Sequence, residues 1–300
     1  MGPGERDSRQ DDLTTRAGLA GQELPAAALY VVALPIGNAG DITLRALWVL
    51  ARVDAIAAED TRLTGPLLAR FGVEVPLLAA HEHNERAAAA SILERLAAGQ
   101  RVALVTDAGT PAVSDPGARI VRAALDAGRR VIPVPGASSM LAAASASGLA
   151  GHGFRFCGFL PAGARERERR LREIAADAGA TILFEAPHRI AALVADLAAV
   201  LAPDRRVVLA RELTKRFESV TALPARALAT CLPEERGEYV VIVDAADDVA
   251  PAALDDNGRR WLEALLDDLP PARAAAIVSR VTGVPREQVY QAALGQRRKG

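Results

Sequence analysis

Acidic and basic side chains that could move protons stand directly after two apolar runs of the sequence. Glu59 and Asp60 follow the run that ends at Ala58, and Glu212 and Lys215 follow a later run. Carboxylates at such positions can accept a proton, and the Glu212–Lys215 pair could hold a ribose or a phosphate. Structural or surface ion pairs would give the same pattern, so the sequence leaves both interpretations open.

Two histidines invite a metal-site hypothesis. His81 and His83 would share one face of an extended segment. No further His or Cys lies nearby in the sequence, and Glu82 would point away from the pair. A protein zinc site uses three or four such ligands. The sequence therefore predicts no metal, and His81 is kept only as a candidate base.

Glycine- and proline-containing turns follow several apolar runs, at positions where α/β sheets bind ligands. Gly109 would allow a ligand to approach the backbone closely, and Asp107 could accept from an amine or a ribose. Ser138 could cap the next helix or reach a ligand. On turn chemistry alone these segments could equally be ordinary connections. The turns are LPIGN at 34–38, TDAGTP at 106–111, SDPG at 114–117 and PVPGAS at 133–138.

The elements that would position these turns alternate between short apolar runs and helical patterns, which predicts an α/β fold. The strands expected in a first block are 29–34, 56–58, 102–105 and 131–134. Those expected in a second block are 154–159, 181–184, 207–210 and 239–243. Helical patterns after residue 243, with a Thr282-Gly283 turn, predict a small helix-turn-helix-like appendage.

The small residues from Ser145 to Gly153 predict a linker, with a cleft between the two blocks. The predicted organisation has four parts: an unstructured extension at 1–27, an N-terminal α/β domain at 28–147, a C-terminal α/β domain at 148–245 and a helical appendage at 246–300.

Composition limits the classes of protein without choosing a function. The net charge of -1 neither supports nor excludes nucleic acid as a partner, so any contact must come from local arginine clusters. Two cysteines without a CxxC pair, no signal peptide and no apolar run long enough for a bilayer predict a cytoplasmic protein.

Several motifs in a fixed order give a more specific indication. LPIGN at 34–38, AEDTR at 58–62, TDAGTP at 106–111, PVPGAS at 133–138 and GFLP at 158–161 together resemble the tetrapyrrole methylase superfamily. FEAPHR at 184–189, ARELTK at 210–215 and GEYVVIV at 237–243 resemble its branch of small-subunit ribosomal RNA methyltransferases. The resemblance spans roughly residues 28 to 243.

This resemblance implies two α/β domains with S-adenosylmethionine in the cleft between them. It also implies a homodimer that methylates a cytidine 2'-oxygen in 16S ribosomal RNA of the 30S subunit. By motif matching, the cofactor-binding residues would be Pro35, Ile36, Gly37, Asp107, Ala108, Gly109, Thr110, Pro111, Ser138, Phe184, Leu213 and Gly237. A ribose hydroxyl is a weak acid, and the candidate bases, among which the sequence does not choose, are Glu59, Asp60, His81, Glu212 and Lys215.

RNA could contact an arginine stripe formed by Arg165, Arg169 and Arg172, or Arg189 at the start of a later helix, although solvated helix faces would look the same. Two other functions stay open. One is methylation of a tetrapyrrole ring carbon. The other is a nucleic-acid-binding regulator built on the C-terminal helices, with phosphate contacts from Arg280, Arg286, Arg297 and Arg298.

Overall fold

The computed structural model describes residues 15–19, 21–149, 153–246, 254 and 256–297. Within them the chain forms two five-stranded sheets, each covered by helices, and a small helical unit that follows. The expected α/β architecture with a helical appendage is confirmed.

The first sheet is entirely parallel, in the order β3-β2-β4-β1-β5. Its strands are β1 (Ala28–Val32), β2 (Ala55–Ala58), β3 (Leu77–Ala79), β4 (Val102–Val105) and β5 (Arg130–Val134). Its helices are α1 (Leu44–Leu50), α2 (Thr61–Arg70), α3 (Glu85–Ala97), α4 (Ala118–Asp126) and α5 (Ser139–Ser147). Every residue of β2 and β4 is buried, as apolar strands covered on both faces should be. Because all five strands run parallel, their carboxyl ends meet at one edge of the sheet, together with the predicted turns that follow them.

The second sheet is mixed, in the order β6-β7-β10-β8-β9, with only β6 and β7 parallel. Its strands are β6 (Phe154–Phe159), β7 (Ala180–Glu185), β8 (Arg206–Arg211), β9 (Ser219–Pro224) and β10 (Tyr239–Val243). Its helices are α6 (Ala164–Ala175), α7 (Ile190–Val200) and the short α8 (Ala225–Leu228). Short 3-10 turns complete the two domains at Ala39–Asp41, Glu82–Asn84 and Pro187–Arg189.

An apolar cluster joins the two sheets. Ala143 and Ala144 on α5 pack with Ile182 and Val208 of the second sheet, and Ile36 belongs to the same cluster. Small side chains on α5 let the helix approach the sheet closely, so this contact fixes the cleft between the domains.

The helical unit consists of α9 (Asp256–Asp268), α10 (Pro271–Thr282) and α11 (Arg286–Arg297). It has its own core, which includes Leu262, Val278 and Val289. A left-handed Gly283 ends α10, where the Thr282-Gly283 turn was expected. Among the described residues, none of the helices has the length and apolar character needed to cross a bilayer.

Two sequence-based boundaries need correction. Leu19 and Leu24 pack on the core of the first domain, and Arg101 donates a hydrogen bond to the Leu24 carbonyl, so part of the supposedly unstructured segment 1–27 is ordered. Residues 1–14 and 20 lie outside the described chain. The expected linker also begins too early, because Ser145 belongs to α5, which ends at a left-handed Gly148. Residues 150–152 of that linker are not among the described ones.

Candidate active site

A cavity of about 350 Å³ lies between the carboxyl edge of the first sheet and the second sheet. The first domain contributes the turns after β1, β4 and β5, and the second contributes the ends of β6 and β7 and the start of β10. Six of the residues matched to cofactor binding line it, namely Ile36, Ala108, Gly109, Thr110, Ser138 and Phe184. The other six do not line it: Pro35, Gly37, Asp107, Pro111, Leu213 and Gly237.

Backbone pairing beyond the sheet holds the first-domain wall of the cavity. Leu34 and Gly109 exchange two backbone hydrogen bonds of 2.9 and 3.0 Å, which ties the turn after β4 to the end of β1. Gly109 has a φ of +73°, a conformation that glycine adopts without strain. Thr110 Oγ1 donates to the Ala137 carbonyl at 3.1 Å, and Ser138 caps α5. Three turns that are distant in sequence therefore form one rigid surface.

A contact between the domains closes the side of this surface next to Ile36. The backbone N–H of Asn38 donates to Thr214 Oγ1 at 3.1 Å. The Lys215 side chain lies across Gly37, where an added Cβ would come 2.5 Å from Lys215 Cγ. The absence of a side chain at Gly37 is thus what lets the ARELTK segment reach the LPIGN segment.

Lys215 is the centre of a charged cluster, the Lys215 cluster, with Glu212 and Glu238. Its Nζ donates to Glu212 Oε1 at 2.9 Å and to Glu238 Oε2 at 3.0 Å. The hydrogen bond from Lys215 lowers the pKa of Glu212. Burial alone would lower the pKa of Lys215, but the two carboxylates outweigh it and raise that pKa. Glu212 and Lys215 are therefore both ionised at neutral pH. The cluster also packs against Gly237, where only a hydrogen fits, because a Cβ there would lie 2.4 Å from Glu212 Cγ.

A group of carboxylates stands at the ends of β2 and β4. The Asp60 N–H donates to Asp107 Oδ1 at 3.0 Å, and the Asp107 N–H approaches Glu59 Oε2 at 3.5 Å. Burial and the charge of Asp107 raise the pKa of Glu59. Hydrogen bonds from the side chain and backbone of Arg62 lower the pKa of Asp60 to about 2. Desolvation, with a contribution from Asp107, raises the pKa of Asp115, which lines the cavity.

His81 and His83 lie just after β3, and neither lines the cavity. The His81 N–H donates to Asn84 Oδ1 at 2.8 Å, and its ring centroid is 6.2 Å from that of His83. The described part of the chain holds no group of three or more His, Cys, Asp or Glu side chains arranged to bind a metal ion.

Three of the arginines considered for RNA contact, Arg169, Arg172 and Arg189, are engaged within the protein. Arg169 and Arg172 pair with glutamates on their own helix, α6. Arg189 lies beside the buried Glu185 and donates to the Leu160 carbonyl at 2.9 Å. In the C-terminal unit, Arg298 and the side chain of Arg297 lie outside the described residues. These pairs favour a structural role for Arg169, Arg172 and Arg189.

The cavity also includes residues that the motif matching did not select. Ser114 and Asp115 belong to the SDPG turn, one of the turns expected at ligand-binding positions, whereas most of the others depend on how the second sheet meets α5. The additional lining residues are Val113, Ser114, Asp115, Ser139, Met140, Phe159, Glu185, Ala186, Pro187, Glu238, Tyr239 and Val240.

Two family models match the chain. Residues 28–229 match the model described as Tetrapyrrole (Corrin/Porphyrin) Methylases, and residues 252–297 match the model described as RsmI C-terminal HTH domain. Together they cover both sheets except β10, and all three helices of the helical unit.

Curated relatives match nearly the whole chain and carry the name Ribosomal RNA small subunit methyltransferase I. The relative from Xylella fastidiosa is 47% identical and covers 87% of this chain and 97% of its own length. The relative from Pseudomonas aeruginosa is 46% identical, with 92% and 100% covered. The relative from Escherichia coli O157:H7 is 44% identical, with 89% and 95% covered.

Solved structures show the same fold at lower identity. The methyltransferase CobJ has a TM-score of 0.56 and 24% identity, covering 73% of this chain and 94% of its own. A Thermus thermophilus uroporphyrin-III C-methyl transferase complexed with S-adenyl homocysteine has a TM-score of 0.53 and 21% identity, covering 72% and 97%.

Proposed function

Because this chain belongs to the tetrapyrrole methylase family, and its curated relatives are named ribosomal RNA small subunit methyltransferase I, we propose that it methylates RNA of the small ribosomal subunit. The chain is an S-adenosylmethionine-dependent methyltransferase. The proposed acceptor is a cytidine 2'-hydroxyl of 16S RNA in the 30S subunit. The proposed setting is the cytoplasm, where ribosomal subunits occur.

One observation carries this proposal. The curated relatives are aligned with 87–92% of the chain, and the RsmI C-terminal model matches residues 252–297. The solved uroporphyrin III C-methyl transferase and cobalt precorrin-4 methyltransferase are aligned with only 72–73% of it. A ring methylase would leave the C-terminal helical unit without a role, and a regulator would leave the cavity between the sheets without one. Both alternatives are therefore disfavoured.

The cavity fits S-adenosylmethionine in size and lining. Its volume of about 350 Å³ lies within the range of small-molecule pockets. Ile36, Met140 and Val240 offer an apolar wall for the adenine ring, and Asp115 and Glu238 bring negative charge for the amine and the sulfonium. When bound, this donor supplies a methyl group on a positively charged sulfur.

The residues of the chain must then orient the ribose and accept its proton. We assign the base to Glu59, because its raised pKa makes it a better proton acceptor than Asp60, whose pKa is about 2. Glu212 and Lys215 are held as an ion pair, which suits a role in fixing the domains or holding the ribose rather than in removing a proton. Neither Glu59 nor His81 lines the cavity itself. Glu59 lies closer to it, because its Oε2 is 3.5 Å from the N–H of Asp107, the neighbour of the cavity-lining Ala108, whereas His81 follows β3.

The experiment that tests the function uses tritiated S-adenosylmethionine and 30S subunits from a strain that lacks the homologous enzyme. Label in a 2'-O-methylcytidine of 16S RNA is expected, and naked 16S RNA run in parallel defines whether assembly is needed. Binding of the methyl donor without any label in the RNA would contradict the proposal and favour a tetrapyrrole substrate.

Two variants test the proton acceptor. Glu59→Gln should lower kcat by about a hundredfold or more while leaving S-adenosylhomocysteine affinity unchanged. The wild-type rate should rise with pH through the raised pKa of Glu59, and this limb should disappear in the variant. Asp60→Asn keeps an oxygen that can cap α2 and serves as the control. Full activity of Glu59→Gln would exclude Glu59 as the base.

We also propose that the chain acts as a homodimer, as its resemblance to the family implies. Sedimentation equilibrium at micromolar concentration should give twice the chain mass of 31.4 kDa. A monomer that is fully active under the same conditions would contradict this part of the proposal.

A further inference from the structure

Phe159 stands out because it is a large apolar side chain left 55% exposed at the edge of the cavity. Isolated exposed apolar residues are common, but aromatic residues are usually better covered than this. A second cavity of about 380 Å³, called the outer cavity, is lined partly by Arg155, Leu160 and Arg170. Phe159 lines both this cavity and the one between the sheets, called the inner cavity. Its ring therefore lies on the wall that the two cavities share.

The backbone is shaped to present this ring. The pairing of β6 with β7 shifts register between Phe156 and Gly158, which is a β-bulge. Gly158 has a φ of +61°, a conformation that favours glycine. Bulges of this kind change the direction in which a following side chain points and recur beside active sites. Without the bulge, strict alternation along β6 would direct Phe159 differently.

The ring is also held in place on one side. The Phe159 centroid is 5.7 Å from that of Phe184, at an interplanar angle of 66°, and Phe156 contacts Phe184 from another side at 4.9 Å and 67°. Phe184 itself lines the inner cavity. Edge-to-face contact with Phe184 supports Phe159 on one side while leaving much of its surface uncovered.

We propose that Phe159 is a stacking platform for the nucleobase whose ribose receives the methyl group. This inference rests on the proposed RNA substrate. Sequence-specific RNA recognition commonly places unstacked bases on aromatic side chains, because every base has an aromatic face. A base stacked on Phe159 would direct its ribose toward the inner cavity and the adjoining strand toward the outer one. Phe159 would thus select an extruded nucleotide over a base-paired one.

The test compares Phe159→Leu, Phe159→Tyr and Phe154→Leu. Leucine keeps apolar bulk but removes the aromatic face, and tyrosine keeps that face. Phe154 is the matched control, since it is an exposed phenylalanine on the same strand that lines neither cavity. Phe159→Leu should raise KM for 30S subunits between about fivefold and a hundredfold. Phe159→Tyr and Phe154→Leu should keep the wild-type KM.

Two further measurements separate this proposal from its alternatives. Calorimetry with S-adenosylhomocysteine should give the same Kd for wild type and Phe159→Leu, and a weakened Kd would mean that the ring packs on the cofactor instead. Ultraviolet cross-linking of the wild-type complex with 30S subunits, followed by mass spectrometry, should join Phe159 to the target cytidine. Wild-type methylation with unchanged KM in Phe159→Leu would overturn the stacking role alone. If the wild-type protein does not methylate 30S subunits, the proposed function is overturned. If the cross-link to Phe159 is absent as well, the stacking role is also overturned.

Discussion

Replacing Gly37 by alanine tests whether the Lys215 side chain depends on the bare backbone beneath it. The new Cβ would lie 2.5 Å from Lys215 Cγ and 2.9 Å from Cε, so the lysine must leave its place. The backbone φ of +156° adds strain of about 1–2 kcal/mol for a residue with a side chain. Loss of the bonds from Lys215 to Glu212 and Glu238 adds about 1–2 kcal/mol. Gly37→Ala should therefore lower the free energy of unfolding by about 2–4 kcal/mol.

A double-mutant cycle with Lys215→Ala isolates the steric part, because alanine lacks every lysine atom that the new Cβ would meet. In the Lys215→Ala background Gly37→Ala should cost only the backbone strain, which leaves a coupling of about 1–2 kcal/mol. Urea unfolding followed by circular dichroism measures all four proteins. Gly128→Ala is the control, since Gly128 has a φ of +65° but no neighbour within 4 Å. Equal costs of Gly37→Ala in both backgrounds, within about 0.5 kcal/mol, would refute the contact.

Three further predictions concern charge and packing. Glu59→Gln should raise Tm at about pH 8, because a pKa raised in the folded state means that ionised Glu59 destabilises the folded protein. The variant should lose this advantage below pH 4.5, the pKa of the unfolded state, where Glu59 is protonated in both states. An unchanged Tm across this pH range would contradict the electrostatic reasoning. Arg167→Met should lower the free energy of unfolding, measured in urea, by about 3 kcal/mol, because the fully buried Glu185 loses one of its two arginine partners. Arg169→Met, at an exposed position of the same helix, should change this free energy by less than about 0.5 kcal/mol. Similar effects of the two substitutions would count against the buried network. Ala143→Leu should lower the free energy of unfolding by about 1–3 kcal/mol, because the larger side chain overfills the contact between the two sheets. It should also weaken S-adenosylhomocysteine binding measured by calorimetry. Wild-type stability and wild-type binding together would show that this contact does not determine the shape of the cleft.

Continuous apolar runs made much of the fold predictable. The strands at Val102–Val105, Phe154–Phe159 and Tyr239–Val243 have the expected bounds. The first and last of these are entirely buried, so an apolar run without alternation is what their environment requires. The strand at Leu77–Ala79 was missed because it is only three residues long and lies at a sheet edge, where burial imposes little pattern. The strand at Ser219–Pro224 has six residues but also lies at a sheet edge, and most of its residues are exposed, so burial imposes little pattern there as well.

Other features depend on geometry that no short pattern encodes. The helix Thr61–Arg70 contains Gly65 and Pro66, both of which ordinarily interrupt a helical pattern. Motif order located the cavity turns, yet the lining by Phe159 follows from a bulge that alternation along the strand does not indicate. The choice among candidate bases likewise needed the neighbours of Glu59, since its pKa is set by burial and by a carboxylate 48 positions away.

The order of the strands within the two sheets has a consequence for the growing chain on the ribosome, because some strands lie beside partners that are synthesised much later or much earlier. β1 lies between β4 and β5, so it gains its first sheet partner only when Val102–Val105 has been synthesised and its second only when Arg130–Val134 follows. β10 joins β7 to β8, so the second sheet remains two separate pairs of strands until Tyr239–Val243 emerges. A nascent chain that stops before Tyr239 would expose two unpaired strand edges, which are templates for aggregation. Premature termination in this stretch should therefore yield insoluble product rather than a smaller enzyme.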